Sequence, residues 1–159
     1  MRILGIDLGL SVCGYVICDI KRDIEMVKEN EVRPKRSFSF NQKLFYIFEN
    51  FRKEIEEYKP QVLVVEKLYS HYRHPLTLGV LAQVRGVIAL LSEINKLNFF
   101  EFSSTRARKS FIGKGNVDSF RVKKIAENIL GRQFRSVHTA DAFSLVVAFS
   151  HSQKLNTLI

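Results

Sequence analysis

A chain of 159 residues with 46% hydrophobic and 26% charged side chains can bury one core. That excludes a disordered polypeptide and predicts a single domain over residues 1–159. The formal charge of +9, from 25 basic against 16 acidic residues, calls for a polyanionic partner, nucleic acid before a membrane surface. No apolar run is expected to reach membrane-spanning length, and the N-terminus lacks the layout of a secretory signal, so no membrane association is expected.

Ile3, Leu4 and Ile6 form a nearly continuous apolar run, which predicts a strand buried on both faces. Asp7 closes it, with Gly9 and Gly14 beyond. A carboxylate there fits either a turn or a cation or phosphate held over the strand end. Segments Ser11 to Ile20 and Asp23 to Val32 predict two further strands around the Lys21-Arg22-Asp23 turn. Cys13 and Cys18 lie an odd number of positions apart and should face opposite sides. No disulfide is expected, and a reducing cytoplasm is the expected location.

From Asn41, read as a cap, Leu44, Ile47, Phe48, Phe51, Ile55 and Tyr58 share one helical stripe that Pro60 stops. Phe38, Phe40, Phe45 and Phe48 are expected in the core. Gln61 to Glu66 predicts a second central strand, again ending in a carboxylate. A loop carrying Lys67, Tyr69, Tyr72 and Arg73 follows, then a helix from Pro75 to about Asn95, apolar on more than one side. Phe99 to Phe102 is a short strand, and Ser104 to Ile112 and Asp118 to Leu130 are helices around Gly113-Lys114-Gly115-Asn116. The last helix, from about Thr139, should turn Ala142, Leu145, Val146 and Phe149 inward. His138 and Asp141 neighbour each other on its first turn.

Between Ser103 and Arg135 the chain carries Arg106, Arg108, Lys109, Lys114, Arg121, Lys123, Lys124, Arg132 and Arg135 against only Asp118 and Glu127. Such a one-sided run fits a surface that tracks a phosphate backbone. Asp7, Glu66 and Asp141 are distant in sequence, but strand ends and helix starts converge on one edge of an α/β sheet. Crowded carboxylates call for divalent cations, and hard oxygen donors suit magnesium or manganese.

Gly5-Ile6-Asp7-Leu8-Gly9, Gly14-Tyr15, Val65-Glu66 with Tyr69, Leu81 to Val87, Gly113-Lys114-Gly115 and His138 to Ala142 occur in order. Through them the chain resembles the RuvC-type Holliday junction resolvases of the ribonuclease H-like superfamily. The resemblance implies an α/β fold, a five-stranded mixed sheet flanked by helices, and a homodimer whose seam is the helix of residues 76–94. It implies paired, metal-dependent nicking of opposed strands of four-way junction DNA, leaving 5′-phosphates, and a branch-migration motor complex as a partner. Asp7, Glu66 and Asp141 would hold two Mg2+ ions, with Mn2+ substituting. His138 stands where many relatives carry a carboxylate and would ligate metal or orient water. Tyr69, helped by Tyr72 and Arg73, would stack at the junction point. Arg108 and Lys109 would touch phosphates; Ser119 replaces a family lysine, leaving Lys114 or Arg121 to compensate. Leu8 and Val84 replace a common proline and alanine as packing changes. A ribosomal-RNA-precursor nuclease of the same superfamily and a catalytically inactive junction-binding protein remain as alternatives. An actin-like phosphotransferase needs two such domains, and this chain has room for one.

Overall fold

The computed structural model describes residues 1–69 and 74–156, the last three by backbone alone. Tyr72 and Arg73 therefore lie outside the described residues. The elements run β1 (Arg2–Asp7), β2 (Cys13–Ile20), β3 (Ile24–Val32), α1 (Phe40–Tyr58), β4 (Val62–Glu66), α2 (Pro75–Ile94), β5 (Asn98–Phe102), α3 (Ser104–Ile112), α4 (Ser119–Leu130) and α5 (Val137–Asn156). One five-stranded sheet has the order β3-β2-β1-β4-β5. β1 is antiparallel to β2 and parallel to β4. This is the five-stranded mixed sheet that the resemblance implies, with the apolar runs of β1 and β4 as central strands.

Alternation along the strands divides the core in two. Ile3, Val16, Cys18, Val62 and Val64 face α3, α4 and α5. Leu4, Ile6, Cys13, Tyr15, Leu63 and Val65 face α1 and α2. Cys13 and Cys18 are thus on opposite faces, both free and buried. Continuing the alternation past Ile6 and Val65 turns Asp7 and Glu66 toward the α5 side. Ile6 pairs with Val65 in register, so the two carboxylates leave neighbouring strand ends together.

α5 closes over them. Every residue from Thr139 to Ser150 except Asp141 is buried, rather than one inner stripe, because α5 lies between the sheet and helices α3 and α4. Its approach to the sheet is set by two glycines. A Cβ on Gly5 would stand 2.6 Å from Val146 Cγ2 and 2.8 Å from the Ala142 carbonyl oxygen. A Cβ on Gly14 would meet the His138 carbonyl carbon at 2.4 Å. Gly14 pairs with Asp7, so the same contact brings His138 to the end of β1.

Several local expectations are corrected. α1 is capped by Ser39, not Asn41, because Gln42 completes a reciprocal capping box with Ser39. Phe45 is 66% exposed, since it falls off the Ile47–Phe51–Ile55 stripe. α2 spans 20 residues with mean hydropathy 1.5 over its most apolar window, so an apolar run does reach membrane-spanning length. Its buried side, Leu81, Val84, Ile88 and Leu91, packs on α1 and β5. Arg85, near its middle, is engaged by Glu101 through bonds of 2.6 and 2.7 Å.

Gly5→Ala should lower stability by about 1–3 kcal/mol through overpacking between β1 and α5. Urea unfolding will read this as an earlier midpoint at unchanged slope. An unchanged midpoint would mean that α5 can move off the sheet freely.

Candidate active site

Asp7, Glu66 and Asp141 line one small cavity with Ser104, Ala107, Arg108, Ser144 and Leu145. Its free volume, about 10 Å³, is close to that of a single water. β1 contributes Asp7, β4 contributes Glu66, and the first turns of α5 contribute Asp141. The start of α5 is fixed locally. Ser136 and Thr139 exchange backbone-to-hydroxyl bonds of 3.2 Å. Glu29 of β3 binds Arg132 at 2.9 Å and accepts from the Arg135 amide at 3.3 Å. Burial works against the charge of Glu31, but hydrogen bonds with Ser136 and Arg33 outweigh it and hold its carboxyl below the usual range. Glu29 and Glu31, two apart on an edge strand, thus hold the segment entering α5. Sequence reading missed both; their shared strand face was the available signal.

Two basic side chains already answer two of the carboxylates. His138 Nδ1 lies 2.7 Å from Asp7 Oδ2. The hydrogen bond to Asp7 raises the imidazole pKa above its ordinary value, against a smaller opposing effect of burial. Arg108 of α3 bridges Asp141 through Nε and Nη2, each 3.2 Å from a carboxylate oxygen. It also donates to Ser119 Oγ at 2.8 Å and to the Val117 carbonyl. Arg108 is therefore turned inward onto a carboxylate, not outward as a phosphate contact would be.

As the side chains stand, no three His, Cys, Asp or Glu residues among those described close around one ion. The donor chemistry nonetheless fits a hard divalent cation: three carboxylates line one cavity, with an imidazole at Asp7. Burial pushes the thiols of Cys13 and Cys18 up to about 12, so neither offers a thiolate that would favour a softer metal.

A larger cleft of about 670 Å³ opens beside this cavity, lined by Glu66, Lys67, Tyr69, Ser103, Ser104, Thr105 and Asn116. It shares Glu66 and Ser104 with the carboxylate cavity. Tyr69 is 44% exposed there, with the Lys67 ammonium 5.6 Å from its ring centre. Lys109, Lys114 and Arg121 are exposed on α3, the following loop and α4.

The family described as crossover junction endodeoxyribonuclease RuvC matches residues 3–151. A crossover junction endodeoxyribonuclease RuvC of Wolbachia from Brugia malayi is 31% identical, covering 94% of this chain and 93% of its own. The Thermus thermophilus RuvC structure superposes with a TM-score of 0.84 at 16% identity, covering 99% of this chain and 98% of that one. The T. thermophilus RuvC complex with its Holliday junction substrate gives 0.83 at 14% identity with the same coverage. These structures share the fold derived above.

In metal-free protein the His138 ring should titrate above the usual histidine value, and Asp7→Asn should lower it. A folded-state pKa raised in this way stabilises the fold fully below the unfolded value. That contribution is lost as pH rises through the folded-state value. Proton NMR of the ring signals tests this; a His138 pKa at or below the ordinary value would contradict the pairing.

Proposed function

The chain belongs to the RuvC family of crossover junction endodeoxyribonucleases, which hydrolyse phosphodiester bonds, and we propose that it resolves four-way DNA junctions by paired nicking. The observation that carries this reading is the convergence of Asp7, Glu66 and Asp141 on one cavity beside the Tyr69 cleft. The family depends on divalent metal; two Mg2+ ions per site, with Mn2+ able to replace them, are our assignment. Asp7, Glu66 and Asp141 would hold the ions. When bound, such ions supply a nucleophilic water near neutral pH and stabilise charge on the scissile phosphate.

The chain's own residues supply the rest. With Nδ1 of His138 committed to Asp7, Nε2 is the nitrogen left to accept a water proton or to ligate. Water attacks phosphorus, the bond to the 3′ oxygen breaks, and that oxygen takes up a proton, leaving a 5′-phosphate. Tyr69 offers a ring on which an unpaired base at the branch point can stack. Lys109, Lys114 and Arg121 provide exposed charge for the duplex arms. Tyr72 and Arg73 share the stacking task with Tyr69 in our assignment.

Paired cuts need two sites related by symmetry. α2 exposes Leu76, Leu90 and Ile94, which fall on one helical stripe with Gly79 and Gly86. A Cβ at either glycine would meet nothing within 4 Å, so a second backbone has room to approach. We assign this stripe to a homodimer seam, and include a branch-migration motor complex among the partners. The cytoplasm is the proposed setting, in keeping with two free buried thiols. Neither a ribosomal-RNA-precursor nuclease nor an inactive binder is favoured by the family match.

On a synthetic four-way junction with Mg2+ or Mn2+, Asp7→Asn, Glu66→Gln and Asp141→Asn should each cut at least about a hundredfold more slowly. Junction affinity measured in Ca2+ should stay within a few-fold of wild type. Cleavage of precursor RNA in preference to the junction would overturn the substrate assignment. Leu90→Glu with Ile94→Glu should sediment as a monomer and lose paired cutting; a persisting dimer would move the seam elsewhere.

A further inference from the structure

Arg108 has more acceptors than a surface ion pair requires. Its bonds to both Asp141 oxygens, Ser119 Oγ and the Val117 carbonyl engage four of the five N–H groups of a guanidinium. Its side chain is only 19% exposed. An arginine built solely to grip DNA would present that fork outward. This one is turned onto a carboxylate that, on the reading above, belongs to the metal site.

Arg108 takes one acceptor direction on each Asp141 oxygen, so a divalent ion bound through the directions left would sit close to the guanidinium. A dication and a guanidinium at the same carboxylate repel each other. The remaining contacts of Arg108 lead away from the cavity. Val117 lies in the loop that follows the Gly113-Lys114-Gly115 turn, and Ser119 opens α4. Ser119 takes part through its hydroxyl oxygen, which accepts from Arg108 Nη2 at 2.8 Å. The anchor therefore spans the loop before α4 and the first residue of that helix.

We propose that Arg108 is a displaceable counter-ion: it neutralises Asp141 in the metal-free protein, leaves when a divalent cation binds, and shifts the Val117–Ser119 stretch as it goes. The inference rests on the assignment of Asp141 to the metal site. Arg108 is here a positioning residue, acting through Asp141 on one side and the loop on the other. Linkage makes the effect reciprocal. A DNA phosphate that draws the fork away from Asp141 strengthens metal binding, and metal binding frees the fork for phosphate. The protein would then load metal most readily when a junction is already in place.

The test is Mn2+ binding to intact, DNA-free protein, followed by electron paramagnetic resonance and calorimetry. Arg108→Gln should bind Mn2+ about tenfold more tightly than wild type, as expected for losing a charge-assisted pair. Arg108→Lys, which keeps the charge but loses the fork, should give a smaller rise. Ser119→Ala should tighten binding about threefold by loosening the anchor. Mg2+ titrated into wild type should move the Val117 and Ser119 amide resonances, and this response should be largely lost in Arg108→Gln. Unchanged or weaker Mn2+ affinity in a folded Arg108→Gln protein would overturn the proposal. Should that variant fail to fold, Arg108→Lys and Ser119→Ala decide in the same sense. Wild type that binds no Mn2+ would remove the metal site itself, and the counter-ion role with it.

Discussion

The close approach of α5 to the β1–β2 ladder is the constraint on which the site depends. Gly5 and Gly14 leave no room for side chains, so the helix that carries His138 and Asp141 rests directly on the strand that ends in Asp7. The pleat does the rest. Asp7 and Glu66 continue the alternation of Ile3–Gly5 and Val62–Val64, and therefore emerge on the face that α5 covers. Three carboxylates from distant parts of the chain meet without any strained backbone at the residues that bear them.

Gathering negative charge at the edge of a core is costly unless something positive answers it. Here the answer is internal. His138 pairs with Asp7 and Arg108 with Asp141, so an imidazole and a guanidinium stand where divalent cations are expected. The arrangement lets the protein fold around an acidic cluster before any metal arrives. It also changes the meaning of the basic segment between Ser103 and Arg135. Part of that charge faces outward on Lys109, Lys114 and Arg121. Part is consumed at the centre by Arg108, and part by Arg132 against Glu29.

Much of this was legible in the sequence, for definable reasons. The unbroken apolar runs at Ile3–Ile6 and Val62–Val65 identify central strands because no solvent-facing residue interrupts them. Their terminal carboxylates stand out because burying them needs a partner, and they do line one cavity. The opposite facing of Cys13 and Cys18 follows from period two alone. The misses were also physical. Ser39 outcompeted Asn41 as a cap because Gln42 lies three residues beyond it and completes the box. Phe45 is aromatic but lies off the buried stripe of α1, and it is that position which leaves it exposed. The apolar length of α2 was underestimated because Arg85 interrupts it, yet that arginine is answered by Glu101. For Arg108, read from the sequence as a phosphate contact, no periodicity reveals that Asp141, 33 residues away, folds back to meet it.

Uptake of divalent ions by Asp7, Glu66 and Asp141 together is tested most directly by anomalous diffraction from crystals of the protein soaked in Mn2+. Manganese peaks bounded by these three carboxylates at ordinary Mn–O distances, with the Arg108 fork withdrawn from Asp141, are the predicted result. A fully soaked crystal with no peak there, the Arg108–Asp141 pair intact and manganese bound elsewhere, would contradict the account.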